Sequence, residues 1–484
     1  MIGGLGRRLA AVVLACATML VASAGGASAH PLGNFTTNVY SGLHVLPGQV
    51  RVDYVVDLAE VPTFQAIQDL DADGDGAPDA GELQTWADER AAEWVRRLIL
   101  EVDGRPLALE VVAARTSLLP GQGGLDLLRF EADLVAAAPN EGTLAYADAN
   151  FEGRVGWREI TAVGQDGAAL SGASVPADSV SDALRAYPED LLASPLDVRE
   201  ATMSFAPGAS APASASSSET DAVGRPGVEG GPFAGLLANQ GAGLMLAGVA
   251  IAVGLGAWHA LLPGHGKTLM AAYMVGSGAR VRHAVSVGLA VSVMHTASVL
   301  ALGLLVLTLE RTFRPESLYP WLGLASGLVA LGLGAWLLVA RLSSWSRASA
   351  TRTDSEHGHE HLEHGHGHGP GQHTHDLPTG SGPLSARGLA ALALAGGILP
   401  APSALIVMLG AINAHRAGYG IALVIAFSIG LAASLIVIGT GALKMREVMA
   451  QRLSSTAGRL LPVLSAAAIV GVGVFLSFRS LTQI

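Results

Sequence analysis

Six long apolar stretches in the second half of the chain constrain its fold more than any other feature. Half of the 484 residues are hydrophobic and only 14% are charged. About 20 apolar residues in a helix cross the roughly 30 Å hydrocarbon core of a bilayer. The sequence therefore predicts a polytopic α-helical membrane protein embedded in a lipid bilayer. Its predicted spans lie near residues 242–276, 284–309, 318–340, 388–412, 418–442 and 460–478.

The first stretch is too long for one straight span. As a helix its roughly 35 residues would reach about 52 Å, and Pro263 and Gly264 stand near its middle in "LLPGHGK". We predict an interrupted helix whose non-helical backbone is buried in protein or lines a cavity. The stretch at 262–277 is similar to "LPAPSALIVMLGAINA" at 399–414, so two sets of three spans would form an inverted 3+3 repeat. The alternative is that Gly-, Ala- and Leu-rich helices look alike by composition alone.

The N-terminus is typical of a secretory signal. Arg7 and Arg8 precede an apolar run, and "ASA" at 27–29 offers a small-residue cleavage site, so the mature chain would begin at His30. A first membrane helix and a lipoprotein anchored at Cys16 are the alternatives. Because Cys16 is the only cysteine, we expect neither a disulfide nor a thiolate metal site in the mature chain.

The charge distribution orients the chain. Ten Lys and Arg residues fall in the predicted inward-facing loops and four in the outward-facing ones, which places the N-terminal domain outside the cytoplasm. Strand-like runs at 50–58, 97–104 and 125–135 predict a small antiparallel sheet, and with the helix-forming segments beside residues 71–82 the predicted soluble domain is α+β. The predicted regions are a signal peptide 1–29, the extracytoplasmic domain 30–205, a flexible linker 206–232, membrane repeats 233–345 and 387–484, and a cytoplasmic His-rich loop 346–386 between the repeats.

Eight of the fifteen histidines lie in the stretch "HGHEHLEHGHGHGPGQHTH". Neutral imidazole binds divalent zinc, copper, nickel and cobalt, and protonation below roughly pH 6 weakens such binding. Irregular spacing among glycines and acids favours several exchangeable sites in a disordered loop; the alternative is a solvated linker. The predicted cytoplasmic capture ligands are His357, His359, His361, His364, His366, His368, His373 and His375.

Three histidines in the first two spans predict a cation site inside the membrane. His259 and His265 flank the Pro-Gly break and His295 lies mid-span; ionisable groups at this depth are costly and usually functional. The alternative is hydrogen bonding between helices. "GKT" at 266–268 is not a phosphate-binding loop, because Leu261 stands where that loop needs glycine. The predicted gating and pathway residues are Pro263, Gly264, Lys267, Thr268, Ser292, Thr296, Pro400, Pro402 and Ser403.

A different metal signal lies in the soluble domain. "DADGDGAPDAGE" at 71–82 matches the spacing of an EF-hand calcium loop, with Gly76 at the sharp turn and segments on both sides that can form helices. Hard oxygen ligands suit Ca²⁺ rather than nickel or cobalt; the alternative is an acidic turn without an ion. The predicted ligands are Asp71, Asp73, Asp75, the Ala77 carbonyl, Asp79 and Glu82. His30 and His44 form a candidate release site for exported metal, with ordinary surface histidines as the alternative.

Together these motifs resemble the nickel/cobalt transporter family, in particular its efflux branch. The resemblance covers residues 240–480 and rests on the His259-x₅-His265 pair, "PGHGKT", His295, the His-rich loop and "LPAPSA". "HPLGNFTTNVYS" and "LAEVPTFQ" look like the extracytoplasmic domain that some members carry. The chain departs from the pattern at Ala401, where members often have cysteine.

The resemblance implies a cell-membrane exporter of Ni²⁺ or Co²⁺ without enzymatic activity. An uptake permease, a metal sensor without transport and a membrane-embedded metallohydrolase are the alternatives, although the hydrolase needs an acidic base that the first two spans lack. The net charge of −11 gives no reason to expect nucleic acid as a partner. The sequence does not rank nickel against cobalt or zinc, and it gives neither the energy source, the oligomeric state nor protein partners.

Overall fold

The structure is a computed structural model whose contacts divide the chain into two compact units. One unit holds the residues up to Gly248 together with Gly303–Glu316 and Pro402–Ile421, and the other holds Val249–Leu302, Ser317–Ala401 and Ala422–Ile484. The described residues are 32–75, 77–192, 194–208, 222–224, 242–261, 265–277, 279–309, 315–353, 386–452 and 455–482.

Two five-stranded sheets form the described part of the N-terminal domain. The described strands are β1 (Thr37–Leu46), β2 (Gln49–Leu58), β3 (Leu98–Val102), β4 (Arg105–Pro106), β5 (Glu110–Pro120), β6 (Asp126–Ala137), β7 (Gly142–Asp148), β8 (Arg158–Gly164), β9 (Ala168–Ser171), β10 (Ala186–Pro188), β11 (Glu200–Pro207) and β12 (Ala222–Gly224). The sheet orders are β5-β6-β2-β1-β8 and β4-β3-β7-β11-β9. The three strand-like runs in the sequence correspond to β2, β3 and β6.

Period-two alternation explains the core of this domain. Along β2, Val50, Val52 and Tyr54 are buried whereas Arg51 and Asp53 are exposed, as expected when successive side chains point to opposite faces. The pairing is not purely antiparallel, since β1 runs parallel to β8. A three-residue strand, β12, lies inside the predicted linker and pairs with β10, whereas linker residues 209–221 and 225–232 lie outside the described residues.

Two helices flank the predicted calcium loop. Helix α1 (Glu60–Leu70) ends just before the loop, and helix α2 (Ala80–Trp94) begins within its last turn. Trp94 of α2 packs edge-on against Phe130 of β6, with ring centroids 4.8 Å apart. Burial of aromatic surface against the sheet therefore fixes α2, and with it one side of the loop.

The second half of the described chain is helical. Its helices are α3 (Ala242–Leu261), α4 (His265–Ser277), α5 (Val281–Leu309), α6 (Pro315–Thr353), α7 (Ala386–Gly397), α8 (Pro402–Asn413), α9 (Ala417–Arg452) and α10 (Ser455–Leu481). Large apolar side chains on several of them are exposed, including Val293, Val437 and Phe478. Apolar surface on this scale is typical of helices that face lipid.

Four of the described helices are long and apolar enough to cross a membrane, and a fifth span results if α7 and α8 count as one interrupted span. These five correspond to the second to sixth predicted spans. The predicted first span is divided between α3 and α4, and the part of α3 that counts as an apolar helix, Met245–Leu261, is shorter than the other candidate spans. A polytopic helical membrane protein is therefore confirmed, whereas the number of six spans stays a prediction.

Candidate metal site

His295 lies in the middle of α5 and is buried, with 5% of its surface exposed. Its imidazole hydrogen-bonds to the backbone of Leu399, in the break between α7 and α8. The other ring nitrogen, Nε2, is buried and has no hydrogen-bond partner among the described residues. A carbonyl that accepts the Nδ1 proton leaves the Nε2 lone pair available, which is the arrangement that a metal-binding histidine requires.

His259 lies beside His295. The two ring centroids are 6.1 Å apart, and His259 comes from the last turn of α3. Metal–nitrogen bonds of about 2.0–2.1 Å place two imidazoles on one ion with their centroids roughly 5 to 6.5 Å apart. The structure therefore brings together two of the three predicted membrane ligands at a separation that one first-row ion can bridge.

Phe427 of α9 closes one side of this pair. Its ring lies 5.7 Å from His259 and 6.1 Å from His295, and it is nearly parallel to the latter. Phe427 is not among the site residues predicted from the sequence. An apolar ring beside two imidazoles keeps water away from them, which strengthens any interaction with a charged guest.

Glycines bring the helices of the site into backbone contact. A Cβ atom on Gly256 of α3 would lie 1.9 Å from the carbonyl oxygen of Phe427, and one on Gly430 of α9 would lie 1.9 Å from the carbonyl oxygen of Val253. Gly256 is one turn before His259. Only glycine permits this approach at both positions, as is common where membrane helices pack closely.

The end of α7 is seated on α5 in the same way. A Cβ on Gly397 would lie 2.6 Å from the Val291 carbonyl oxygen and 3.3 Å from the backbone nitrogen of His295. Ser298 donates to the Gly397 carbonyl at 3.3 Å. This contact explains why the segment after Gly397 reaches His295 with its Leu399 carbonyl.

The predicted pathway residues Ser292 and Thr296 join α5 to α9. Ser292 donates to the Ser428 carbonyl at 2.5 Å, and the Thr296 and Ser428 hydroxyls are 2.5 Å apart. All three line an open groove of about 630 Å³ between these helices. In the fourth predicted span, Pro400 and Ala401 are buried, whereas Pro402 and Ser403 are exposed at the start of α8.

Several predicted site residues lie partly or wholly outside the described residues. Pro263 and Gly264 lie outside the described residues; His265 and Lys267 belong to α4, but only their helical backbone is described, and Thr268 is exposed. His30 also lies outside the described residues. The capture ligands that lie outside them are His357, His359, His361, His364, His366, His368, His373 and His375.

The predicted calcium loop gathers carboxylates between α1 and α2. Oxygen atoms of Asp71, Asp73 and Glu82 lie within 4.8 Å of one another, and no other such cluster of three His, Cys, Asp or Glu occurs among the described residues. Glu82 accepts the Ala72 and Asp73 backbone N–H groups at 2.8 and 3.2 Å, so its carboxylate is directed into the loop. Asp79 instead caps α2 by accepting the backbone N–H groups at its start.

The carboxylates of this cluster repel one another when they are ionised. The backbone amide of Asp75 lowers the pKa of Asp73, but desolvation and the negative charges of Asp75 and Glu82 outweigh it, so the pKa of Asp73 is raised above its ordinary value. A bound cation would relieve this repulsion. Gly76, the predicted turn residue, lies outside the described residues.

His44 already has partners at both ring nitrogens. Nε2 lies 3.0 Å from an Asp53 carboxylate oxygen, and Nδ1 lies 2.9 Å from the Gln165 side-chain amide. The hydrogen bond from His44 lowers the pKa of Asp53. These contacts give His44 a role in joining β1 to its neighbours, so it would have to leave them before it could bind released metal.

Known proteins are similar to the membrane half of the chain. A family model described as a high-affinity nickel-transport protein, NicO, matches residues 245–380. The nickel/cobalt efflux system RcnA of Shigella sonnei is 33% identical over 245 residues, which cover 46% of this chain and 89% of that protein. RcnA of Salmonella typhimurium is 32% identical over 288 residues, or 52% of this chain and 99% of that protein. No solved structure matches.

Proposed function

The chain belongs to the NicO nickel-transport family, and we propose that it exports Ni²⁺ or Co²⁺ from the cytoplasm through a site formed by His259, His265 and His295. The observation that carries this proposal is the buried Nε2 atom of His295, which has no partner among the described residues and lies beside a second imidazole. A buried polar atom without a partner is costly unless a guest satisfies it. In the proposed function, the transported Ni²⁺ or Co²⁺ ion binds this nitrogen.

The proposed path begins in the cytoplasm. The His-rich loop collects metal, and the ion passes to the membrane histidines and leaves on the side of the soluble domain. The interrupted helices at "LLPGHGK" and "LPAPSA" give the site access to each side in turn, as inverted repeats do in other transporters. His30, and His44 once it has left Asp53, would receive the ion on release.

Export is favoured over uptake by the names of the relatives, and the predicted cytoplasmic position of the histidine collector is compatible with it. The relatives RcnA are named as nickel/cobalt efflux systems, and the positive-inside rule places the histidine collector in the cytoplasm. A cytosolic collector also suits uptake, which is the second candidate direction. The homologues are efflux transporters and not enzymes, so the metallohydrolase alternative is excluded.

Metal content of whole cells tests both the activity and its direction. Cells that lack their own exporter should hold several-fold less nickel and cobalt when they produce this protein. A rise in cell metal would show uptake. Unchanged metal at equal membrane levels of protein would favour the sensor.

Single substitutions test the site. His259→Ala and His295→Ala should each return cell nickel to the level without the protein, because each removes a ligand. His283 offers a matched control on α5, since its Nδ1 accepts the backbone N–H of Arg280 at 2.9 Å and so caps the helix. His283→Asn should keep export within about twofold, because an amide oxygen can replace the acceptor. Full export by either alanine variant would refute the site.

The acidic loop at residues 71–82 is proposed to bind Ca²⁺. Its support is the convergence of Asp71, Asp73 and Glu82 between two helices, in the register of an EF-hand. Asp75 and the Ala77 carbonyl complete the set, and Asp79 would contribute through water, since it also caps α2. The ion stiffens the extracytoplasmic domain.

A further inference from the structure

The strand-rich domain contacts helix α8 through a glycine turn. In the turn Gln122–Gly124, Gly123 has φ +66°, and a Cβ atom placed on it would lie 2.6 Å from Cγ2 of Ile406. Ile406 is on α8 and is 1% exposed. Backbone of the domain therefore rests directly on the helix, with no room for a side chain between them.

The turn is fixed to the rest of its domain. The backbone N–H of Gln122 donates to Glu60 at 3.1 Å, and Asn34 donates to the Gln122 side chain at the same distance. Glu60 is the first residue of α1 and is buried. Because these two hydrogen bonds attach the turn to its domain, we expect the turn to move with the domain and to affect the position of α8.

An ion pair with one buried partner forms a second contact. Arg154, in the loop between β7 and β8, donates to Glu316 in the first turn of α6 at 2.7 Å. The two side chains are 16% and 6% exposed. Removing one partner of such a pair leaves an uncompensated charge, which costs several kcal/mol. The pair therefore specifies one docked arrangement of the domain.

Helix α8 is also continuous with the chain at the metal site. By its contacts α8 groups with the strand-rich domain, and the boundary of that unit falls between Ala401 and Pro402. Three residues before Pro402 stands Leu399, the hydrogen-bond partner of His295. Any movement of α8 is thus passed along a short peptide to the carbonyl that orients the His295 ring.

We propose that the extracytoplasmic domain gates transport by holding α8 through the Gly123–Ile406 contact, and that α8 must part from this turn in each transport cycle. The proposal rests on the proposed export function. The described contacts include the turn, helix α1 and one ion pair. An interface between domains of one chain normally permits relative motion unless it is large and hydrophobic. When α8 leaves the turn, the Leu399 carbonyl can move. The His295 ring, which hydrogen-bonds to that carbonyl and would bind the ion, can then change its orientation.

A reversible cross-link tests the gate. A Cβ on Gly123 would lie 2.6 Å from Cγ2 of Ile406. Since Cγ2 is one C–C bond of about 1.5 Å from the Cβ of Ile406, the two Cβ atoms would be no more than about 4 Å apart, near the mean disulfide separation of about 3.8 Å. Cys16 is the only native cysteine, so C16S/G123C/I406C contains one cysteine pair. A protease site introduced into the 206–232 linker reports the cross-link. After cleavage, the two fragments run together on a non-reducing gel if the disulfide joins them and separately if it does not.

The expected result has two parts. The disulfide forms in the oxidising extracytoplasmic space, and diamide-oxidised cells lose export at least tenfold, with recovery after thiol reduction. Export by the oxidised variant is compared with export by the same variant after reduction. Because both states carry the substitution at Gly123, backbone strain at this position does not affect the comparison. Absence of the cross-link refutes the docking, and complete cross-linking with unchanged export refutes the gate. Failure of the wild-type protein to change cell metal refutes the export function instead.

Charge exchange provides a second measurement that does not depend on transport. R154E and E316R should each lower the rate of cross-linking several-fold in the cysteine-pair background, because each places like charges together. R154E/E316R should restore that rate. A double variant that stays as slow as the single variants would show that the pair does not dock the domain.

Discussion

His295 differs from an ordinary buried histidine in how its two nitrogens are used. One is held by the Leu399 backbone, and the other is buried beside His259 without a partner among the described residues. A histidine that merely joins helices would satisfy both atoms, as His44 does with Asp53 and Gln165. This contrast within one chain supports the proposal that His295 binds an ion.

Ala401 bears on which ion is preferred. It is buried at the end of the α7–α8 break, two residues after Leu399. A thiolate at this place would favour softer ions, whereas imidazole alone discriminates poorly among nickel, cobalt and zinc. In the proposed site, discrimination among these ions would therefore depend on the geometry of the imidazoles and on Phe427 rather than on ligand softness.

Calcium binding can be tested by the loss of one carboxylate charge. The full protein in detergent should gain about 1.4 kcal/mol at a calcium concentration ten times Kd, seen as a melting temperature higher by a few degrees. Glu82→Gln should abolish this shift because it removes the bidentate ligand. Glu89→Gln removes the same charge from an exposed position of α2 and should retain the shift. An equal response of both variants would mean that calcium acts elsewhere.

At the scale of elements, the close approach of α3 and α9 positions His259. Gly430→Ala should push the helices apart, since its Cβ would fall 1.9 Å from the Val253 carbonyl oxygen. We expect a loss of about 1–3 kcal/mol of stability and severely reduced nickel export. The measurements are the detergent melting temperature and cell nickel.

Gly441→Ala is the matched control on the same helix. It is exposed and nothing lies within 4 Å of its added Cβ, so both stability and export should be kept or slightly improved. If Gly430→Ala behaved like Gly441→Ala, the glycine contact would not position the site.

These contacts also mark the limit of what the sequence predicts. Strands β2, β3 and β6 and the helices around residues 71–82 follow from local periodicity. The break between α7 and α8 is indicated only by the similarity of residues 399–414 to the stretch that contains Pro263 and Gly264. Phe427, Ser428 and the Leu399 carbonyl were missed because no local pattern states which helix faces which. "AFSIGLAAS" at 426–434 carries the only signal, small residues spaced for helix packing, and it does not name a partner.

At the scale of the whole molecule, the proposed function assigns metal collection and metal transport to different parts of the chain. The collector loop has glycine-rich, acidic composition and many histidines, whereas the membrane site depends on a few rigidly placed rings. An array of weak ligands would raise the local concentration of metal near the proposed entrance without determining the transport path. The two parts should therefore respond differently to metal supply.

Deletion of residues 357–375 should reduce export and not abolish it. The loss should be several-fold when external nickel is scarce and small when nickel is abundant, because abundant metal reaches the membrane histidines without a collector. A loop of equal length with its eight histidines changed to asparagine should behave like the deletion, which separates ligand loss from shortening. Cell nickel measured across a range of supply checks both. If the deletion were more damaging than His259→Ala, the loop rather than the membrane histidines would hold the essential site.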